Sequence, residues 1–267
     1  MIVLFAGPSL AGTLSYEYPG FDFRPPAKQG DLYLAVEDGA DAIGLIDGVF
    51  DGVPSVWHKE VLWAIDQGVP VFGASSMGAL RAAELDVFGM VGIGAVYDAY
   101  RDGALEDDDE VALQHGPAET GFAPLSLAMV NIRATLEKAV SEGVVSAQVS
   151  DQAASLAKCI HFKERTWTAL LAALRGNGDA ELTAVADWLR DNYVDRKNLD
   201  ALMLLDHISR QENWPGEHPS FHFEQTEMWR RGVADWRRAQ KRVTASPSGA
   251  YRLVPEDSLY RSTGTEE

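Results

Sequence analysis

Apolar residues along this chain follow two rhythms, and the change falls near Gly121. Before it, short unbroken apolar runs alternate with stretches of helical period, the arrangement of buried parallel strands joined by crossover helices. Residues 2–6, 42–46 and 69–72 read as three such strands. Residues 31–38, 56–67 and 77–84 read as helices, the second closed by Gly68. The stretch 21–30 carries Arg24-Pro25-Pro26, which no helix tolerates, and is expected to be a loop or extended arm. After Gly121 the period is helical throughout, and 125–140, 150–161, 166–174, 180–193 and 199–209 each read as an amphipathic helix. An irregular stretch from Trp214 precedes a helix-like piece at 224–242.

The expected fold class is therefore α/β, an N-terminal parallel-sheet domain followed by a mainly helical C-terminal region. The expected division is 1–121 for the α/β core, 122–243 for the helical part and 244–267 for an irregular tail.

Composition narrows what such a fold can serve. With 267 residues, 46% of them hydrophobic and 24% charged, the chain can bury a substantial core. It has no 18-residue apolar run and no basic stretch ahead of its first apolar residues, so a soluble, cytoplasmic protein without membrane contact is expected. A formal net charge of −17 argues against a nucleic-acid surface and for partners with basic patches. The one cysteine, Cys159, excludes an intrachain disulfide and reads as a core thiol.

Candidate chemistry concentrates at Gly73-Ala74-Ser75-Ser76-Met77-Gly78, where a strand turns sharply into a helix. Such a turn can present a serine hydroxyl with backbone N–H groups of the next helix beside it. Ser76 is then a nucleophile, with Met77 and Gly78 as oxyanion donors; equally, Ser76 is a plain helix N-cap. In an open parallel sheet the loops leaving adjacent strands converge on one edge, which is expected to bring Lys59, in the first turn of the preceding helix, to the serine. A desolvated lysine can act as a base toward serine. His58 is the competing base, and Asp47 can orient either. Gly7-Pro8-Ser9, at the end of the first strand, offers a second wall; it holds no G-x-G-x-x-G or Walker-type phosphate pattern.

Other polar groupings point less sharply. The acidic run 106–110 reads as solvated, since five consecutive acids cannot converge on one ion. Neither Cys159-Ile160-His161 nor the His218 and His222 pair has zinc-ligand spacing, so no metal and no cofactor are expected. Arg81 and Glu84 are spaced to pair on one helix, with Arg81 as the alternative anchor for an acidic C-terminus. Arg230, Arg231, Arg237, Arg238, Lys241 and Arg242 form a basic stretch, either a solvated face over Trp229 and Trp236 or a docking element for a peptide or partner.

Taken together, F-A-G-P-S-L at 5–10, R-P-P-A-K-Q-G-D at 24–31, I-D-G-V-F at 46–50, S-V-W-H-K-E-V-L at 55–62, G-A-S-S-M-G-A-L-R-A-A-E-L at 73–85, F-G-M at 88–90 and D-D-E-V-A at 108–112 resemble the TfuA-like family. The resemblance implies a partner of YcaO-type enzymes that install sulfur in a peptide backbone. It also implies hydrolysis of a thiocarboxylated ubiquitin-like sulfur carrier by a serine–lysine pair, with the precursor peptide reached through the YcaO complex. By motif position the pair falls on Ser76 and Lys59, with Ser75 as the alternative nucleophile. A non-catalytic adaptor that docks the YcaO enzyme and its peptide is the competing role.

Overall fold

The computed structural model describes residues 1–12, 18–211 and 219–243. The expected tail, 244–267, and His218 lie outside the described residues, as does Trp214. Five parallel strands form one sheet: β1 (Ile2–Phe5), β2 (Phe21–Arg24), β3 (Ala42–Leu45), β4 (Val71–Ala74) and β5 (Val91–Ile93), in the order β2-β1-β3-β4-β5. Three were expected. β2 lies inside the stretch read as an arm: its four residues pair with β1 before Pro25 and Pro26 remove the donors needed to continue. β5 is three residues with Gly92 at its centre and Gly94 just after it, too short to show a period.

The strands alternate between two cores. Val3, Phe5, Ile43, Leu45 and Val71 point to one face, where α1 (Asp31–Glu37), α2 (His58–Asp66) and α3 (Met77–Leu85) cover them with Leu32, Val61, Ala64, Ile65, Ala79 and Ala82. Leu4, Ala42, Phe72 and Ala74 point to the other face. There the β1–β2 connection contributes a short 3-10 turn, Pro8–Leu10, among the described residues. The cover comes instead from far along the chain, from Ala201, Leu204, Leu205 and Ile208 of α9 (Arg196–Ser209). Burying both sheet faces is what an all-parallel sheet requires, and α9 thereby brings its N-terminus to the end of β1.

Between these lie α4 (Ala95–Arg101) and a helical group of α5 (Met129–Ser141), α6 (Ala147–Lys158), α7 (Trp167–Gly176) and α8 (Ala180–Leu189) around Ile132, Leu136, Ala153, Leu170, Leu182 and Val185. Side chains of Ser146, Thr166, Asp179 and Asp195 accept N–H groups at the starts of α6, α7, α8 and α9, which fixes where each begins. The last helix, α10 (Glu227–Val243), seats Trp229 and Trp236 against Tyr33, and Trp236 also meets Trp57. Its outer arginines pair locally, Arg231 with Glu227 and Arg238 with Asp235, while Arg237 reaches Glu37 of α1.

No helix among the described residues is long and apolar enough to cross a membrane. Cys159, expected in the core, is exposed at the end of α6.

Candidate functional site

The strand order reverses between β1 and β3, and in sheets of this order ligands bind at that switch point, outside the carboxyl ends of the strands. The residues leaving β1 and β3 there are Gly7-Pro8-Ser9 and Ile46-Asp47. They are tied together by Asp47: its Oδ2 accepts the N–H groups of Gly7 (2.8 Å) and Ser9 (2.9 Å), and its Oδ1 accepts the Ser9 hydroxyl (2.7 Å). Because the Ser9 proton points to Asp47, the Ser9 oxygen is left to accept, and the Ser75 hydroxyl donates to it at 2.8 Å. Ser75, Ser9 and Asp47 are all buried. They form a one-way relay with every donor directed inward.

Adjacent to β3 is β4, and the turn that leaves it carries the serines. Ser75 sits in the left-handed region at φ 68°, a conformation that costs on the order of 1–3 kcal/mol for a residue with a Cβ. The relay to Ser9 holds it there. This kink lets α3 start at once, with Ser76 in the N-cap position. Ser76 nevertheless makes no side-chain capping bond, and it lines a cavity of about 270 Å³ above the switch point.

Two glycines make the tight turn possible. A Cβ on Gly78 would lie 1.8 Å from the Leu45 carbonyl oxygen, and one on Gly73 would lie 2.2 Å from the Gly78 oxygen. The Gly78 N–H donates to Ile46 O at 3.2 Å, so it is committed to the scaffold and does not point freely at a substrate. Of the two expected oxyanion donors, Met77 remains, at the first helical position where no intrahelical acceptor exists.

Lys59 is not brought to Ser76. Its ammonium lies over the Phe223 ring, 5.0 Å from the centroid, and it does not line the serine cavity. The first turn of α2 does start on the expected sheet edge, but a helix presents successive side chains 100° apart, and this one faces the segment ahead of α10. His58 likewise faces outward: its Nε2 lies 2.7 Å from Glu84 Oε2, which also pairs with Arg81 at 2.8 Å. Arg81 further donates to Val56 O. His58, Arg81 and Glu84 thus form a cluster that braces α2 against α3.

The amine that does line the cavity is Lys197, the second residue of α9. It is 2% exposed; its Nζ donates to Val111 O at 2.8 Å and lies 3.9 Å from Asp47 Oδ1. Burial pushes its pKa below the ordinary lysine range, with Asp47 and Asp195 opposing the shift. Its placement is over-determined. Asn131 Oδ1 accepts the Lys197 N–H at 3.0 Å, Asn131 Nδ2 donates to Asp195 at 2.9 Å, and Asn198 Nδ2 donates to Ser9 O at 3.0 Å.

The carbonyl that holds Lys197 belongs to the D-D-E-V-A segment, which explains the acidic run. Asp109 and Glu110 turn inward: Asp109 receives the fully buried Arg165 at 2.8 Å, and Glu110 receives Arg133 at 2.8 and 2.9 Å and Lys158 at 2.8 Å. These pairs fix the backbone that presents Val111 O. Lys197, Asn131 and Arg165 carried no local sequence signal, being single polar residues within helical or loop stretches.

Fold and site together define an α/β protein of flavodoxin-like strand order, with a serine and a desolvated amine sharing one cavity at the switch point. Residues 47–166 match the family model described as TfuA-like protein, so the chain carries a TfuA-like region that includes Asp47, Ser75, Ser76 and the 108–112 segment. The family resemblance is thereby borne out over these residues. Gly7-Pro8-Ser9 and Lys197 fall outside the matched residues. No curated protein gives a match.

Proposed function

We propose that the protein is a thioacid hydrolase in which Ser76 takes the acyl group of a thiocarboxylated ubiquitin-like sulfur carrier, releasing sulfide for a YcaO-type partner. One observation carries this reading: Ser76 occupies a helix N-cap position without using its hydroxyl as a cap, and faces a cavity that also contains a buried amine. Both serines are buried, and Ser75 is the weaker nucleophile because its proton is committed to Ser9 and it does not line the cavity. The base of the pair is read here as Lys197 in place of Lys59.

A lysine whose neutral form is favoured by burial can accept the Ser76 proton as the oxygen adds to the thiocarboxylate carbon. The tetrahedral adduct then expels its sulfur, which takes the proton from Lys197 and leaves as hydrosulfide. Water attacks the resulting ester, Lys197 again acting as base, and returns a carboxylate and free Ser76. Asp47 holds the amine and the relay in register.

Sulfide release from a thiocarboxylated carrier tests the reading. Ser76→Ala is expected to abolish release, and Lys197→Ala to slow it by about 10²–10⁴, the range for loss of a general base, with Lys59→Ala near wild type. Release by Ser76→Ala at the wild-type rate would leave the adaptor role, in which the same variant still supports thioamide formation with added sulfide.

A further inference from the structure

We infer that Lys163 selects the anionic end of the acyl substrate, and that Asp51 occupies the place of that anion until substrate arrives. The inference rests on the reading of Ser76 as acyl acceptor and concerns how the same cavity is entered.

Lys163 and Asp51 form an ion pair across the mouth of the serine cavity. Asp51 comes from the loop that leaves β3, and Lys163 from the segment between α6 and α7. With Phe50 and Phe162 they line both the serine cavity and a wider neighbouring cavity of about 680 Å³, so these four residues form the boundary between the two. Lys163 also lies over the Phe162 ring, 5.7 Å from its centroid. The pair is open to water, its side chains 44% and 61% exposed. A solvated pair contributes little net stability, so an incoming anion can take Asp51's place on Lys163 at small net cost.

The two lysines of the cavity are therefore built for different tasks. Lys197 is buried, held by one carbonyl, and suited to exchange a proton. Lys163 is exposed and held by a replaceable carboxylate. A thiocarboxylate arrives with a negative charge that must be balanced while it passes two aromatic rings, and Lys163 stands at that point. The ligand chemistry is a carboxylate-like C-terminus on a tail of small residues, as a cavity of about 270 Å³ admits.

Binding of a fluorescein-labelled peptide ending in Gly-Gly, as its free carboxylate and as its carboxamide, tests this by anisotropy. Wild type is expected to prefer the carboxylate by about two- to fivefold, the range for an exposed charge pair. Lys163→Ala should remove that preference, Lys163→Arg should retain it, and Asp51→Asn should strengthen carboxylate binding more than carboxamide binding. Equal binding of the two peptides by wild type would overturn the inference, as would a Lys163→Ala variant that keeps the preference or weakens both peptides alike.

Kinetics separate this from the hydrolase reading. A protein that prefers the carboxylate through Lys163 yet releases no sulfide from the thiocarboxylate would sink the hydrolase and leave the inference standing. Sulfide release with KM unmoved by Lys163→Ala would do the reverse.

Discussion

Asp47 and Lys197 are buried to the same degree and line one cavity, the Lys197 amine 3.9 Å from Asp47 Oδ1, yet the Asp47 carboxylate receives three hydrogen bonds while that amine makes one, to Val111 O. On the sheet side, polar groups satisfy one another within turns that leave neighbouring strands: Ser75 gives to Ser9, Ser9 to Asp47, and the backbone closes the set. On the helical side a single amine is carried in by elements distant in sequence and left with unused donors. The difference separates a scaffold from a reactive group. Satisfied buried networks are rigid, whereas an under-satisfied buried cation shifts toward its neutral form.

The strongest way to break the helical side is to remove what holds Val111. Arg165 is fully buried, and its guanidinium meets both Asp109 oxygens at 2.8 and 3.1 Å while donating to Ala157 O at 3.1 Å. Arg165→Met would leave Asp109 to Lys158 alone, 2.9 Å away, and the Ala157 carbonyl without its donor, and is expected to cost about 3 kcal/mol in urea unfolding, the low end of the penalty for breaking a buried pair. The same variant should lose sulfide release with no change at the serine turn. A loss under about 1 kcal/mol, the size of an exposed pair, would mean that the acidic run does not brace the site.

A sharper contrast comes from paired substitutions across the cavity. Asp47→Asn can keep an oxygen on the Gly7 and Ser9 N–H groups but turns its NH2 to the Ser9 hydroxyl, which loses its acceptor, and is expected to cost about 1–3 kcal/mol. Lys197→Met keeps the length and removes a desolvated amine, so stability should hold or rise while hydrolysis is lost. The sign with pH follows from the lowered Lys197 pKa: the unfolded chain binds the extra proton between the folded value and about 10.4, so stability rises with pH across that window, and Lys197→Met removes the rise. A Lys197→Met variant as destabilised as Asp47→Asn would make Lys197 a structural cation and end the comparison.

The same contrast explains what could be read from residue order. The serine turn was legible because its requirements are local: a strand, a sharp bend, two small residues for close approach and a helix start all fall within Gly73–Gly78. The convergence of loops at the sheet edge was legible as topology, which brought Asp47 and Ser9 into view. Topology does not set the rotation of a helix, so Lys59, though on the right edge, turned to Phe223. Lys197 looks like any surface lysine in R-K-N-L-D-A-L; its burial is decided by Asn131, Asn198 and Val111, which are up to 86 residues away in sequence. β2 and β5 escaped for simpler reasons: Pro25 and Pro26 hid a strand that ends just before them, and three residues are too few for a period of two to register.

Glu60 gives the smallest test and shows that satisfaction is a matter of degree on the sheet side as well. Its Oε2 accepts the Gly30 N–H at 2.8 Å and its Oε1 the Trp57 N–H at 3.1 Å, tying the starts of α1 and α2 together beneath Trp236. Burial pushes its pKa up to about 7, the backbone donors recovering only part of the shift. A carboxyl raised in the folded state is protonated there while the unfolded chain has already lost its proton. Its contribution is therefore complete below about 4.3, the ordinary value for glutamate, and is lost as pH rises through about 7. Urea midpoints measured across that interval should fall with pH in wild type and flatten in Glu60→Gln, whereas the Lys197 contribution moves the opposite way at higher pH. If the Gln variant kept the wild-type slope, the donors at Gly30 and Trp57 would be strong enough to hold Glu60 ionised, and the sheet edge would be as fully satisfied there as it is at Asp47.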